Sequence, residues 1–291
     1  MTAPLIILGC GYVGSRLARA GLAAGRTVRV CARSTGRLAP LGELGAQIKY
    51  LDAAMVKQLG PVMASMHGAT VVYSIPPVGS LPPGHAVRAA LQGAAGGGVG
   101  CFIHFSSAGL YGDHPDDETW VDEDTATALD DPPMAGVLTD EAAIDGSTFD
   151  QLRTVILRLA PVYGPGRGVR SRLRAGSYKI LDEGQHVTSR IHVDDVVGAV
   201  FAAEERAVTG SRFLVADDEP TTQGAYAAWL CERLGIGLPP SRPILAAGAA
   251  RVAHRNRRVR NTRLKQALGL ELRYPSFRDG EAAIEAEEAA G

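Results

Sequence analysis

Six residues near the start of the chain, Gly9-Cys10-Gly11-Tyr12-Val13-Gly14, have the types and spacing for binding chemistry. They form a G-x-G-x-x-G that follows the apolar run Leu5–Leu8 and opens a helix-length segment, Val13–Ala24. In such a loop the first glycine allows a tight turn and the second lets a pyrophosphate approach the backbone. The third permits close helix–strand packing, and the anion rests on the helix N-terminus. The pattern points to a dinucleotide; a tight strand–helix turn without a ligand is the plain alternative.

A second signal follows about twenty residues on, where NAD-binding loops place an acid that holds the ribose 2′-hydroxyl. Here the strand-like run Thr27–Cys31 leads into Ala32-Arg33-Ser34, with no Asp or Glu. Arg33 and Ser34, with Arg37 in reach, suit a 2′-phosphate, because a guanidinium offers it paired donors and a carboxylate would repel it. The expected cofactor is therefore NADP rather than NAD, with a surface arginine at a strand end as the alternative.

Arginines recur later. Arg167, Arg170, Arg172 and Arg174 share one glycine-flanked span, and Arg251, Arg255, Arg257, Arg258, Arg260, Arg263 and Lys265 share another. Arg170 and Arg260 are the expected contacts to a small anionic substrate; a solvated basic face explains the spans equally well. No aromatic platform accompanies them, so nucleic acid is not an expected partner. His, Cys and acids nowhere cluster at metal-ligand spacing, and His104 and His192 flank strands as satisfied core or edge residues. Cys10, Cys31, Cys101 and Cys231 lie far apart, which suits buried, reduced thiols.

The elements that must position these residues alternate regularly. Leu5–Leu8, Thr27–Cys31, Gln47–Leu51, Thr70–Ile75 and Cys101–Phe105 read as strands of the kind buried on both faces, followed later by Val155–Leu159 and Arg190–Val193. Val13–Ala24, Ala53–Met66 and His85–Ala95 read as helices between them. The alternation predicts an α/β fold with a doubly wound parallel (Rossmann) sheet. The expected division is a dinucleotide-binding domain of residues 1–163 with parts of 187–217, and a small, mostly helical C-terminal substrate lobe of 164–186 and 218–291. The stretch Asp113–Asp131, whose acids gather in Asp113–Asp124, reads as a solvated loop over the sheet edge.

Composition excludes other classes. The chain has 291 residues, 46% hydrophobic, which rules out global disorder. Its 30 Lys plus Arg against 31 Asp plus Glu give a net charge of −1, with no general pull toward nucleic acid or anionic lipid. The run Leu5–Leu8 is too short for a signal peptide or a membrane span, so a cytoplasmic protein without membrane contact is expected.

Taken together, the glycine motif, Leu51-Asp52, Phe105-Ser106-Ser107-Ala108-Gly109-Leu110-Tyr111-Gly112, Arg158-Leu159-Ala160-Pro161-Val162-Tyr163-Gly164-Pro165-Gly166 and Ile191-His192-Val193-Asp194-Asp195-Val196 resemble the extended short-chain dehydrogenase/reductases, the NAD-dependent epimerase/dehydratase superfamily. Arg260-Asn261-Thr262-Arg263-Leu264, Leu268-Gly269 and Tyr274-Pro275 extend the likeness through the C-terminal part. The resemblance implies cofactor contacts from Gly9, Gly11, Tyr12, Val13 and Gly14, and from Asp52 to the adenine. It also implies Ser74, Ile75 and Pro76 beside the nicotinamide ribose, Pro161 and Val162 flanking the ring, and structural roles for Asp194 and Asp195. It further implies a nucleotide-linked substrate and a homodimer paired through His85–Ala95 and a helix beginning near Ala135.

One departure stands out. The family's chemistry uses a Tyr and a Lys four residues later on one helix face. Ala135 and Thr139 fall at those positions, and no Tyr in the chain is followed by Lys at that distance. Ser107 remains, so the chain resembles an atypical subgroup without the dyad. Ser107, Tyr111 and Tyr163, with Asp140 or Glu141, are the polar groups expected near the nicotinamide; both tyrosines read equally as turn residues packing on a pocket wall. The expected activity is an NADP-dependent oxidoreductase or epimerase-like reaction with a non-standard site. The alternative is a non-catalytic NAD(P)-binding sensor or scaffold.

Overall fold

A computed structural model of the chain describes residues 2–114, 119–128, 131–243 and 256–290. Seven parallel strands form the central sheet: β1 (Leu5–Leu8), β2 (Val28–Ala32), β3 (Gln47–Tyr50), β4 (Thr70–Tyr73), β5 (Cys101–Ser107), β6 (Arg153–Leu159) and β7 (Ser211–Val215). Their spatial order is β7-β6-β5-β4-β1-β2-β3, so the order reverses at β1, which pairs with both β2 and β4. The helices are α1 (Tyr12–Ala23), α2 (Ala39–Glu43), α3 (His85–Gly96), α4 (Pro132–Asp145), α5 (Val169–Arg174), α6 (Val193–Arg206), α7 (Gln223–Leu234), α8 (Thr262–Leu268) and α9 (Phe277–Ala290).

The period-2 side-chain alternation of a strand explains how β1 can be apolar throughout. Leu5 and Ile7 face the cluster containing Leu17 of α1 and Val196 and Val200 of α6. Ile6 and Leu8 face the other layer, with Val87 and Leu91 of α3 and Ile144 of α4. A third core holds Tyr163, Leu173, Tyr178, Tyr226, Leu230, Phe277 and Ile284, beyond the carboxyl ends of the strands. Among the described residues no helix is long and apolar enough to cross a membrane.

Several elements differ from the sequence reading. β3 is an edge strand whose residues are largely exposed, as suits an edge kept soluble by Gln47 and Lys49. Ala53–Met66 is not one helix but two 3₁₀ turns, Val56–Gln58 and Pro61–Met63; Pro61 brings no N–H to a helical ladder. Within Arg190–Val193 only Ile191–His192 are strand, paired with Val162–Tyr163 outside the central sheet, and α6 starts at once. The seventh central strand is Ser211–Val215. The acid-rich span is more than a solvated loop: Trp120–Val121 pairs with Arg258–Val259, and Glu123 accepts the Leu214 amide at 2.8 Å, covering the edge strand β7. Arg251 and Arg255, and residues 115–118 of that span, lie outside the described residues.

All four cysteines are buried and free. His104 is buried as expected, yet neither ring nitrogen finds a hydrogen-bond partner among the described residues, and burial pushes it down to about 4. His192 caps α6, its Nδ1 accepting the Asp194 amide at 3.2 Å. Asp194 accepts from Arg16 of α1 at 2.6 and 3.1 Å, and Asp195 accepts the Arg273 and Tyr274 amides. Both acids thus tie elements together.

Candidate functional site

The three glycines of the first loop are required for three different reasons. Gly9 has φ +87°, and a Cβ there would stand 2.9 Å from the Ser74 carbonyl group. A Cβ on Gly14 would stand 3.0 Å from Ile7, so its absence lets α1 close on β1. At Gly11 the nearest such neighbour is the Gly9 carbonyl at 4.0 Å, and no packing inside the protein calls for glycine. The loop is tied to β2, with the Gly9 and Cys10 amides both donating to the Cys31 carbonyl. Helix α1, which it opens, has no side-chain cap and no acid in its first turn. Among the described residues no side chain therefore neutralises the partial positive charge at its N-terminus.

This loop borders a cleft of about 800 Å³ at the carboxyl ends of β1, β2 and β4, where the strand order reverses. Gly9 and Gly11 form one wall, Ser74, Ile75, Pro76 and Pro77 another, and Asp52 lies between β3 and the floor. Asp52 is fixed by its own turn, its Oδ1 accepting the Ala54 amide at 3.0 Å. Arg33, Ser34 and Arg37 line the far end and are exposed. Among the described residues neither guanidinium has a hydrogen bond or ion pair. The structure thus gathers nine of the residues singled out in the sequence around one cleft.

The remaining ones sit elsewhere. Tyr12 and Val13 begin α1; the Tyr12 hydroxyl donates to the Pro165 carbonyl at 3.1 Å, and Val13 packs into the core. Pro161 and Val162 follow β6, where the Pro161 carbonyl accepts the Ile191 amide. Ser107 ends β5 and its Oγ accepts the Gly109 amide at 2.9 Å. Tyr111 is buried, its hydroxyl accepting from Arg158 at 2.6 Å. Tyr163 lies in the third core, with its hydroxyl toward the Ser276 carbonyl. Burial raises both phenols, so neither is readied as an acid or base.

Arg170 is not brought to the cleft. It is buried against α9, donating to Glu281 at 2.8 Å and lying within 3.8 Å of Glu285 and 3.5 Å of Glu288. Arg260 is exposed over the Trp120 ring in a separate depression with Asp122 and Glu123. Among the described residues no three His, Cys, Asp or Glu form a metal site.

Sequence reasoning missed the buried network behind Ser107. Arg158 on β6 donates twice to Glu141 of α4, at 2.9 and 2.6 Å, and Ser106 donates to the same carboxylate at 2.5 Å. Burial raises Glu141, but the Arg158 guanidinium outweighs it and the carboxyl ends below its ordinary range. A charged residue inside the apolar run of β6 was the available signal, since such a charge demands a partner from the helix packed on it. Beside it, Asp140 is pushed up to about 6 by burial. On the exposed turn of α4, the Thr139 hydroxyl donates to the Ala135 carbonyl at 2.8 Å.

Three comparisons bear on this arrangement. The model of the NAD dependent epimerase/dehydratase family matches residues 5–216. A 3-diazoavenalumate denitrifying reductase of a Streptomyces species is 33% identical over 213 residues, 67% of each chain. Among solved structures, a functionally unknown conserved protein from Silicibacter pomeroyi is 28% identical with a TM-score of 0.83, covering 98% of this chain and 99% of its own. A UDP-glucose 4-epimerase from Thermotoga maritima shares the fold at 20% identity and TM-score 0.82, covering 99% of each chain.

Proposed function

Because the chain belongs to the NAD-dependent epimerase/dehydratase family, we propose that it is an NADPH-using reductase of a small molecule whose reduction needs no proton from a Tyr–Lys pair. The observation that carries this reading is the cleft itself: Gly11 at one end and, at the other, the guanidiniums of Arg33 and Arg37, unpaired among the described residues. Bound there, reduced nicotinamide supplies a hydride.

The chain's residues divide the remaining work. The Gly9–Gly14 backbone and the α1 terminus take the pyrophosphate, Asp52 the adenine, and Arg33, Ser34 and Arg37 the 2′-phosphate. Ser74, Ile75 and Pro76 hold the nicotinamide end. The wall next to it is formed by Pro77 against Gly136 of α4, one residue from Ala135. An acceptor that is already cationic, such as an iminium or an arenediazonium ion, fits such a wall. An iminium gains the hydride at carbon and becomes a neutral amine; an arenediazonium gains it at the ring carbon and releases dinitrogen. Both balance without an added proton. The likeness to a denitrifying reductase of a diazo compound supports this class of acceptor.

The test is consumption of NADPH with a panel of iminium, arenediazonium and simple ketone acceptors, using NADPH deuterated at the nicotinamide carbon. Deuterium appearing in the iminium or diazonium product, with ketones unreduced, is the expected result. Turnover of ketones, or tight binding with no turnover of any acceptor, rejects the reading; the second outcome leaves a nucleotide-binding scaffold.

A further inference from the structure

The loop after β6 reaches back across the molecule to the start of α1. Gly164 and Arg167 exchange two backbone hydrogen bonds, 3.1 and 3.0 Å, which close a tight hairpin around Pro165 and Gly166. Gly166 takes φ +71° and Gly168 φ +117°, conformations that suit glycine. The hairpin seats on Tyr12, the first residue of α1. The Tyr12 hydroxyl donates to Pro165, and a Cβ on Gly164 would stand 2.4 Å from that hydroxyl, so a larger residue would lift the hairpin off. The Arg167 guanidinium lies 5.1 Å from the Tyr12 ring centroid.

Arg167 differs from Arg16, Arg170 and Arg174, while Arg172 lies in the same way over a ring, that of Tyr178 at 5.0 Å. Arg16, on the same helix as Tyr12, is taken up by Asp194 and Glu287. Arg170 and Arg174, further along the same loop and helix, are taken up by glutamates of α9. Arg167 is exposed, and among the described residues its guanidinium has no hydrogen bond or ion pair. A guanidinium held on an aromatic face has lost part of its rotational freedom already and keeps its in-plane donors free.

We propose that Arg167 is a cross-lobe arm that donates to the pyrophosphate of the bound dinucleotide, with Tyr12 as its platform. This rests on the reading of the glycine-loop cleft as the dinucleotide site. The pyrophosphate would then be gripped from two sides, by the α1 amides and by a side chain carried on the loop leading into α5. Cofactor affinity thereby depends on how that loop is seated.

The test is titration of wild type, Arg167→Ala and Arg167→Lys with NADPH, NADH and adenosine 2′-monophosphate, which carries the 2′-phosphate but no pyrophosphate. Arg167→Ala is expected to weaken NADPH and NADH by the same factor, about tenfold or more. It leaves adenosine 2′-monophosphate and the melting temperature of the free protein unchanged, and Arg167→Lys recovers part of the loss. Unchanged NADPH affinity in Arg167→Ala, or an equal loss for adenosine 2′-monophosphate, overturns the arm and leaves the cleft reading standing. Failure of the wild type to bind either dinucleotide overturns the cleft reading, and the arm with it.

Discussion

The hydroxyl of Thr139 donates to the carbonyl of Ala135, one turn earlier on the same helix, at 2.8 Å. A hydroxyl spent on its own backbone gives no proton readily, and an alanine gives none. If these positions stand where the family's acid pair would, hydride transfer proceeds without a phenol or ammonium that titrates. Single-turnover rates with an iminium acceptor should then show no limb of tyrosine or lysine type at alkaline pH. Thr139→Ala should keep kcat within about threefold of wild type. A hundredfold loss in that variant would place a proton transfer at Thr139.

Gly9 and Gly11 separate folding from binding. Gly9→Ala forces a side chain onto a left-handed backbone and into the Ser74 carbonyl, and should destabilise by about 2 kcal/mol or more in a denaturant titration. Gly11→Ala meets open space, so its stability should lie within about 1 kcal/mol of wild type. Dinucleotide affinity in that same protein should fall at least about tenfold, because the added methyl occupies the approach to the backbone. Equal effects of the two changes would mean that Gly11 serves packing alone.

Arg158 and Glu141 are buried partners, so removing one leaves the other charged in the interior. Glu141→Ala should cost about 3–5 kcal/mol in chemical unfolding. Replacing both, as Arg158→Met with Glu141→Leu, should recover most of that loss. A mild effect of the single change would show that water reaches the pair.

Much of the architecture was legible because it is local. The apolar β1 followed by the glycine loop, and the missing acid after β2, need no knowledge of distant residues. β7 was not, since Ser211–Val215 includes the half-buried Arg212 and follows a segment without regular alternation. Arg170 was assigned to substrate because its partners, Glu281, Glu285 and Glu288, lie more than a hundred residues away in the chain. Ala53–Met66 has helical composition, and Pro61 within it weighed more than the flanking Ala and Met. Tyr111 and Tyr163 sit in motif positions next to the cleft in sequence, but a buried arginine and the third core hold their hydroxyls.

Asp217, just after β7, is buried with neither carboxyl oxygen hydrogen-bonded among the described residues. Burial raises it to about 8, more than Arg190 nearby lowers it. Its folded value exceeds the unfolded one, so its stabilising contribution is full below about pH 4 and is lost as pH rises through about 8. The wild-type melting temperature should therefore fall between about pH 4 and pH 8. Asp217→Asn should flatten that fall and melt higher than wild type at the alkaline end. A variant with the wild-type slope would show that Asp217 is ionised and solvated at neutral pH.

Selection of NADPH over NADH is expected to fall to Arg33 and Arg37 at the far end of the cleft, whose guanidiniums are unpaired among the described residues. It is tested most directly by fluorescence titration of the purified protein with NADPH and with NADH. The predicted result is a preference for NADPH of at least about tenfold, roughly 1.4 kcal/mol, that disappears in Arg33→Ala with Arg37→Ala while NADH binding is unchanged. Tighter binding of NADH, or binding of neither dinucleotide, would contradict it.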